Sequence, residues 1–281
     1  MLRQPLRLAI TEATRILGEA GVPSPHVDAE LIAAHVLDVP RGKLVLTPLV
    51  DRQVVEAIAR LVRERAKRVP LQHLVGWAAL GPVTVSVGPG VFVPRPETEL
   101  LLEWGLSVLA DRAAPVVVDL CTGSGALALA VSVAHPDAVV HAVEMDSTAL
   151  AWARKNLGDS GVHLHAGDVT GSSLLADLDG QADLVLCNPP YVPVGTEVPP
   201  EVSEHDPAEA VFAGPDGLAV IRHVVTLAAR LLRPGGAVGI EHDDTQGEAV
   251  PALLAARTVL TRVADHDDLA GRPRFATAYR T

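Results

Sequence analysis

Cys187-Asn188-Pro189-Pro190-Tyr191, which follows the apolar run Ala182 to Leu186, has the residue types of a slot for a planar group carrying an NH2. Two of its residues lack an N–H, so the turn offers few backbone donors. What remains is acceptor oxygen, on the Asn188 side chain and on the Pro189 backbone, and Tyr191 adds a flat ring beside them. A carboxamide or an amino-purine would suit such a slot. A second chemically suggestive stretch comes earlier, in Cys121-Thr122-Gly123-Ser124-Gly125. There Gly123 and Gly125 let the backbone pass close to a ligand and leave N–H groups at the start of a helix. Glu144, at the next strand end, suits ribose hydroxyls. Gly123 to Ala128 also fits G-x-G-x-x-A, and Glu144 lies about 20 residues on, so this stretch alone does not separate a nicotinamide dinucleotide from S-adenosylmethionine.

Three further features favour the sulfonium methyl donor. Asp119 precedes the glycines on the strand end, where a carboxylate can reach an ammonium or act on the turn's backbone but would repel a pyrophosphate. Asp168 offers an acceptor to an adenine amino group. The Asn188 slot accepts an NH2 yet supplies neither a proton relay nor a carbonyl-polarising cation for hydride transfer. No residue here has the setting of a strong general base, and methyl transfer needs little of one. Aligning the nucleophile does most of the work, and acceptors on an amide's two hydrogens would raise electron density on its nitrogen.

The elements that must position these residues follow from periodicity. Apolar residues recur at helical spacing over 6–20, 24–37 and 51–68, which predicts a small helical bundle up to about residue 70. Between 71 and 95, the alternating Val83 to Val87, the turn Gly88-Pro89-Gly90 and the short run Val91 to Val93 predict a β-hairpin linking two domains. From 96 onward, helices are expected over 100–110, 126–134, 147–157, 218–232 and 245–255. Strands are expected at Val116–Leu120, Val139–Val143, Val162–His165, Asp183–Cys187 and Ala237–Glu241, with a turn at Arg233 to Gly236 and a closing β pair in the tail. Alternating strands and helices give an α/β, doubly wound parallel sheet whose ligands bind at the strands' carboxyl ends. Every residue named above falls on that edge. Arg95, caught between Pro94 and Pro96, is not explained by the helix start that follows it.

Composition narrows the function classes. The net charge of -11 is divided unevenly. Residues 1–80 hold 11 Lys and Arg against 8 Asp and Glu, and the remainder holds 12 against 26. So acidic a catalytic body is a poor binder of phosphate backbones, and no direct nucleic-acid binding is expected. Two cysteines, Cys121 and Cys187, make no disulfide framework. There is no long apolar run or signal-peptide core, so a cytoplasmic protein without membrane association is expected. His163 and His165 lack a third ligand at fitting spacing, and no metal is expected. Asp244 is expected to cap the helix after Glu241.

The chain resembles the N5-glutamine methyltransferases that modify peptide-chain release factors. The likeness covers nearly the whole sequence. It rests on Pro70-Leu71-Gln72-His73-Leu74 with Gly76, on Val91-Phe92-Val93-Pro94-Arg95-Pro96-Glu97-Thr98-Glu99, on Asp119 to Gly125, on Asn188 to Tyr191 and on Asp216-Gly217-Leu218. The resemblance implies a Rossmann-like class I methyltransferase sheet that binds S-adenosylmethionine, and a small N-terminal helical domain that docks the release factor. It implies methylation of the glutamine in the release factor's Gly-Gly-Gln loop. It also implies that Cys121, Thr122, Gly123, Ser124, Gly125, Glu144, Asp168 and Val169 line the cofactor. Asn188, Pro189, Pro190 and Tyr191 would hold the glutamine, and Phe92 and Arg95 would close over the site. Three departures stand out: Glu144 replaces the family's usual Asp, Glu241-His242-Asp243 replaces Glu-Ile-Gly, and Trp77-Ala78-Ala79-Leu80 lacks the usual phenylalanine. The competing reading is methylation of an exocyclic amino group on a nucleic-acid base, whose enzymes resemble this chain in the slot motif but need a basic groove and a base-flipping surface.

Overall fold

The computed structural model describes residues 3–281. The chain divides into two compact units, one running to Trp77 and including Pro199–His205, the other made of Ala78–Val198 and Asp206–Thr281. The first boundary therefore falls inside the stretch expected to link two domains. The short excursion at Pro199–His205 had no counterpart in the sequence reading.

In the first unit, β1 (Gln4–Pro5) pairs antiparallel with β2 (Leu49–Val50), beside helices α1 (Leu6–Glu19), α2 (Pro25–Leu37), α3 (Arg52–Ala66) and α4 (Leu71–Val75). Helical spacing puts Ala13 and Leu17 of α1, Ile32 of α2, and Ile58 and Val62 of α3 into one apolar core. Arg65 follows on the same face of α3, yet its side chain is almost wholly buried. It is matched by two carboxylates: Nε donates to Asp28 Oδ2 at 2.7 Å and Nη2 meets Glu201 Oε1 at 2.9 Å. Arg68 adds a two-pronged pair to the same Glu201. These bonds explain why Pro199–His205 groups with residues so far off in sequence. Burial opposes the charge on Glu201, but the hydrogen bonds from Arg68 and Arg65 hold its carboxyl down at about 2. Its stabilising contribution is therefore complete above the unfolded value and is lost as pH falls toward about 2. Arg65→Ala would leave the buried Asp28 without its cation while Glu201 keeps Arg68, and a loss of about 3 kcal/mol is expected in urea unfolding. A loss under about 1 kcal/mol would show that the pair is not holding the unit together.

The second unit is built on a seven-stranded sheet in the order β10-β11-β9-β8-β5-β6-β7. Its parallel strands are β5 (Val116–Leu120), β6 (Val139–Glu144), β7 (His163–Ala166), β8 (Ala182–Cys187) and β9 (Leu232–Glu241). β10 (Leu260–Asp267) and β11 (Pro273–Arg280) close one edge antiparallel. Successive residues of a strand face opposite sides. Val117, Leu184 and Leu186 accordingly join the core under α5 (Thr98–Leu109), α6 (Ala126–Ala134) and α7 (Ser147–Leu157), whereas Val118, Val185 and Cys187 join the core under the helices Ala219–Leu231 and Ala249–Ala255. Helices on both faces of a mostly parallel sheet make the doubly wound architecture expected from the sequence.

Five local expectations need correction. The strand β4 (Val83–Ser86) pairs with β3 (Trp77–Leu80), not with Val91 to Val93, which are buried without forming a strand. Gly81, at φ 52°, makes the tight connection that the Gly88-Pro89-Gly90 turn was expected to make. Arg233 to Gly236 lie within β9, where an irregular register opposite Ala182 and Leu184 absorbs the glycines. Asp243, not Asp244, caps the turn that follows β9: it accepts from the Thr245 N–H at 3.0 Å while Gln246 returns a bond to the Asp243 N–H. That 3-10 turn, Asp244–Gln246, separates β9 from the helix Ala249–Ala255, which is shorter than the expected 245–255.

Candidate functional site

The carboxyl ends of β8, β5, β6 and β7, neighbours in that order, carry Asn188, the glycine turn, Glu144 and Asp168. The turn leaves β5 through Cys121, which takes the left-handed region at φ 58° without being glycine, and continues through Gly123 at 56° and Gly125 at 83°. Such a conformation costs a non-glycine residue on the order of 1 kcal/mol or more, so the surroundings must impose it. They do so with three ties. The Thr122 N–H donates to the Val143 carbonyl at 2.9 Å, the Gly123 N–H donates to Glu144 Oε2 at 2.9 Å, and the Thr122 hydroxyl donates to Asp119 Oδ2 at 2.5 Å. A Cβ at Gly123 would meet no atom within 4 Å, so the turn lies open there.

Glu144 spends its other oxygen on the N–H groups of Met145 and Asp146, at 2.9 and 2.8 Å. Asp119 is buried, and the oxygen that takes the Thr122 hydroxyl also takes the Ala128 N–H at 3.1 Å. Burial pushes its carboxyl up to about 7, against the pull of those two bonds. The native state thus holds a proton that the unfolded chain, titrating near 3.9, has released, and Asp119's contribution to stability falls as pH rises between those values. Asp119→Asn has no such proton to lose, so it should gain on the parent protein from about pH 4 to about pH 7. Paired thermal-unfolding series measure this, and a difference that stays constant with pH would contradict it. Asp168 is exposed, accepts from the Thr170 N–H at 2.8 Å, and is held below its usual range chiefly by that bond. Val169 packs into the apolar cluster with Val118 and Val143, and Ser124 is buried too.

The second part of the site is a connected chain of hydrogen bonds. Asn188 Nδ2 donates to Thr98 Oγ1 at 3.0 Å, and the Thr98 hydroxyl donates to Glu241 Oε2 at 2.8 Å. The Tyr191 hydroxyl donates to the other oxygen, Oε1, at 3.1 Å. Asn188 Oδ1 takes no hydrogen bond among the described residues and is not enclosed, which leaves it available as an acceptor. Burial pushes the Glu241 carboxyl up to about 7, while the bonds from Thr98 and Tyr191 and the Arg274 charge pull the other way. Burial likewise raises the Tyr191 phenol far above its ordinary value. Pro189 is buried beside Asn188, and Pro190 is half-buried.

Arg95 lies with its guanidinium 4.8 Å from the Phe92 ring centroid and its Nη2 2.6 Å from Asp206 Oδ2. Two residues expected at the site therefore touch each other, and a buried carboxylate fixes the arginine. Cys187 is buried within hydrogen-bonding reach of the Cys121 thiol, and burial raises its own well above the ordinary range. Among the described residues, no group of three or more His, Cys, Asp or Glu could hold a metal ion.

The family model described as the PrmC N-terminal domain matches residues 9–76, and that of the methyltransferase small domain matches 83–204. The release factor glutamine methyltransferase of Mycolicibacterium smegmatis is 54% identical over 98% of this chain and 98% of its own length. The chain belongs to the release factor glutamine methyltransferase family. That of Streptomyces coelicolor is 48% identical over 96% of each. A solved T. thermophilus 16S rRNA N2 G1207 methyltransferase, in complex with AdoMet and guanosine, shares the fold at a TM-score of 0.54 and 23% identity, covering 73% of this chain and 50% of that one.

Four residues bonded to these groups were assigned no site role from the sequence. Thr98 accepts from Asn188, and Glu241 accepts from Thr98 and Tyr191. Asn156 ties the glycine turn to β4, donating to the carbonyls of Ser124 and Ser86, each at 2.9 Å. Gln246 donates to the Tyr191 carbonyl at 2.9 Å. Two carried a usable signal: Glu241 ends the fifth parallel strand on the same edge as the other site residues, and Thr98 lies in the Val91 to Glu99 stretch.

Proposed function

We propose that this chain transfers a methyl group from S-adenosylmethionine to the side-chain amide nitrogen, N5, of the glutamine in the Gly-Gly-Gln loop of peptide-chain release factors. The observation that carries this is the fixed Asn188 amide, whose NH2 is spent on Thr98 and whose Oδ1 is left as an acceptor beside Tyr191. The residues present suit the cofactor. An open glycine turn lies where a helix begins, flanked by strand-end carboxylates, and the exposed Asp168 offers acceptor oxygen to the adenine amino group. In this reading Asp119, Cys121, Thr122, Gly123, Ser124, Gly125, Glu144, Asp168 and Val169 hold it, Asp119 by shaping the turn. When bound, S-adenosylmethionine supplies an electrophilic methyl on a sulfonium whose leaving group is a neutral thioether.

The chain's own contribution is orientation. Asn188 Oδ1 and the Pro189 carbonyl each accept one hydrogen of the substrate NH2, fixing its nitrogen and favouring the positive charge that develops there. The proton on that nitrogen then leaves to water. Tyr191 packs on the planar amide, and the Phe92–Arg95 pair covers it. The N-terminal helical unit docks the release factor. The reaction belongs to translation in the cytoplasm, and among the described residues no helix is long and apolar enough to cross a membrane.

Purified protein given methyl-labelled S-adenosylmethionine should label a release factor and leave its Gln→Ala loop variant unlabelled. Label in plasmid DNA or ribosomal RNA, with none in the release factor, would instead favour an exocyclic base nitrogen as the acceptor.

A further inference from the structure

We propose that Thr98 and Glu241 form a directional relay that decides which end of the Asn188 carboxamide faces the substrate, making both positioning residues for the transfer; this rests on the function proposed above. The three residues come from separate elements: Thr98 opens α5, Asn188 follows β8 and Glu241 ends β9. An ionised carboxylate only accepts hydrogen bonds. The single hydroxyl proton of Thr98 is therefore committed to Glu241 Oε2, and its lone pairs can only accept. A carboxamide beside such an acceptor must present its NH2, as Asn188 does, and its oxygen is then turned to the other side. The other Glu241 oxygen takes the Tyr191 hydroxyl. One buried carboxylate thus orders both ends of the Asn188 to Tyr191 turn.

Reversing the relay would reverse the slot. A protonated Glu241 can donate to Thr98, which frees the threonine proton for Asn188 Oδ1. Asn188 would then offer NH2 to the substrate's NH2, donor against donor. Around Glu241, the Arg274 guanidinium of β11 favours the ionised form and Glu97, before α5, disfavours it. The Cys187 thiol of β8 and the Tyr191 hydroxyl also feel its charge. The adjoining His242 is paired with Asp265 of β10 at 2.7 Å. Since burial places the Glu241 carboxyl at about 7, turnover should climb as pH rises through neutrality.

The test compares Thr98→Val, Thr98→Ser and Glu241→Gln with the parent chain, measuring kcat and KM for the release factor, kcat against pH, and S-adenosylmethionine affinity by calorimetry. Thr98→Val keeps the shape and removes the hydroxyl. It should lower kcat on the order of 10²-fold, the scale of a misplaced catalytic group, with cofactor affinity little changed. Thr98→Ser should recover most of that loss. Glu241→Gln should lose the acidic limb of the pH profile. Parent-like kcat in Thr98→Val, a Thr98→Ser as impaired as the valine variant, or an unchanged acidic limb in Glu241→Gln would each overturn the relay. A parent chain that labels no release factor would instead defeat the proposed function, so the two failures are distinguishable.

Discussion

Asn188→Ala is expected to lower kcat for release-factor methylation on the order of 10³-fold, the upper end of what one preorganised polar partner contributes, while S-adenosylmethionine binds nearly as tightly as before. The side chain supplies one of the two oxygens proposed to grip the substrate amide, and its orientation is fixed by Thr98 and Glu241 rather than by the cofactor turn. The glycine turn has its own ties to Val143, Glu144 and Asp119, none of which passes through Asn188. Calorimetry alongside steady-state kinetics separates the two effects. Equal losses in turnover and cofactor affinity would show that Asn188 serves the cofactor instead.

Gly217→Ala should be comparably damaging, by a different route. Gly217 adopts φ +69°, and a Cβ there would lie 2.0 Å from the Tyr191 carbonyl oxygen and 2.6 Å from Gln246 Nε2. Gln246 cannot simply retreat, because it bonds the carbonyls of Tyr191 and Asp216 at 2.9 and 3.1 Å. The new methyl therefore pushes on the backbone of the Asn188 to Tyr191 turn. Left-handed strain and a backbone clash together should cost about 3 kcal/mol or more in stability. A turn displaced by about 1 Å should also lose on the order of 10²-fold in turnover. Thermal unfolding and kcat measured on the same preparation check both. A variant as stable and as active as the parent would show that the turn yields freely.

Much of this was legible in the sequence, for identifiable reasons. Buried parallel strands declare themselves as apolar runs, so β5, β6 and β8 fell close to their expected limits, and the residues at their carboxyl ends followed from topology. What the sequence did not disclose depends on partners far apart in the chain. Val91 to Val93 have the composition of a strand, but their burial comes from packing, and β4 finds its partner in β3 on the other side of Gly81. Thr98 read as one residue of a helix start, and its role exists only because Glu241 and Asn188 arrive beside it from other strands. Glu201 carries no signal in the sequence, because only folding brings Arg65 and Arg68 to it. The Asp243 cap was missed by one residue because adjacent aspartates have the same chemistry and differ only in backbone placement.

The most direct measurement is a crystal structure of the protein with a release factor and S-adenosylhomocysteine, the product of the transfer. It should place the glutamine NH2 within about 3 Å of both Asn188 Oδ1 and the Pro189 carbonyl oxygen, with its nitrogen aimed toward the sulfur. Those two oxygens turned away from the glutamine, or a dinucleotide seated on the Cys121 to Gly125 turn, would contradict the account.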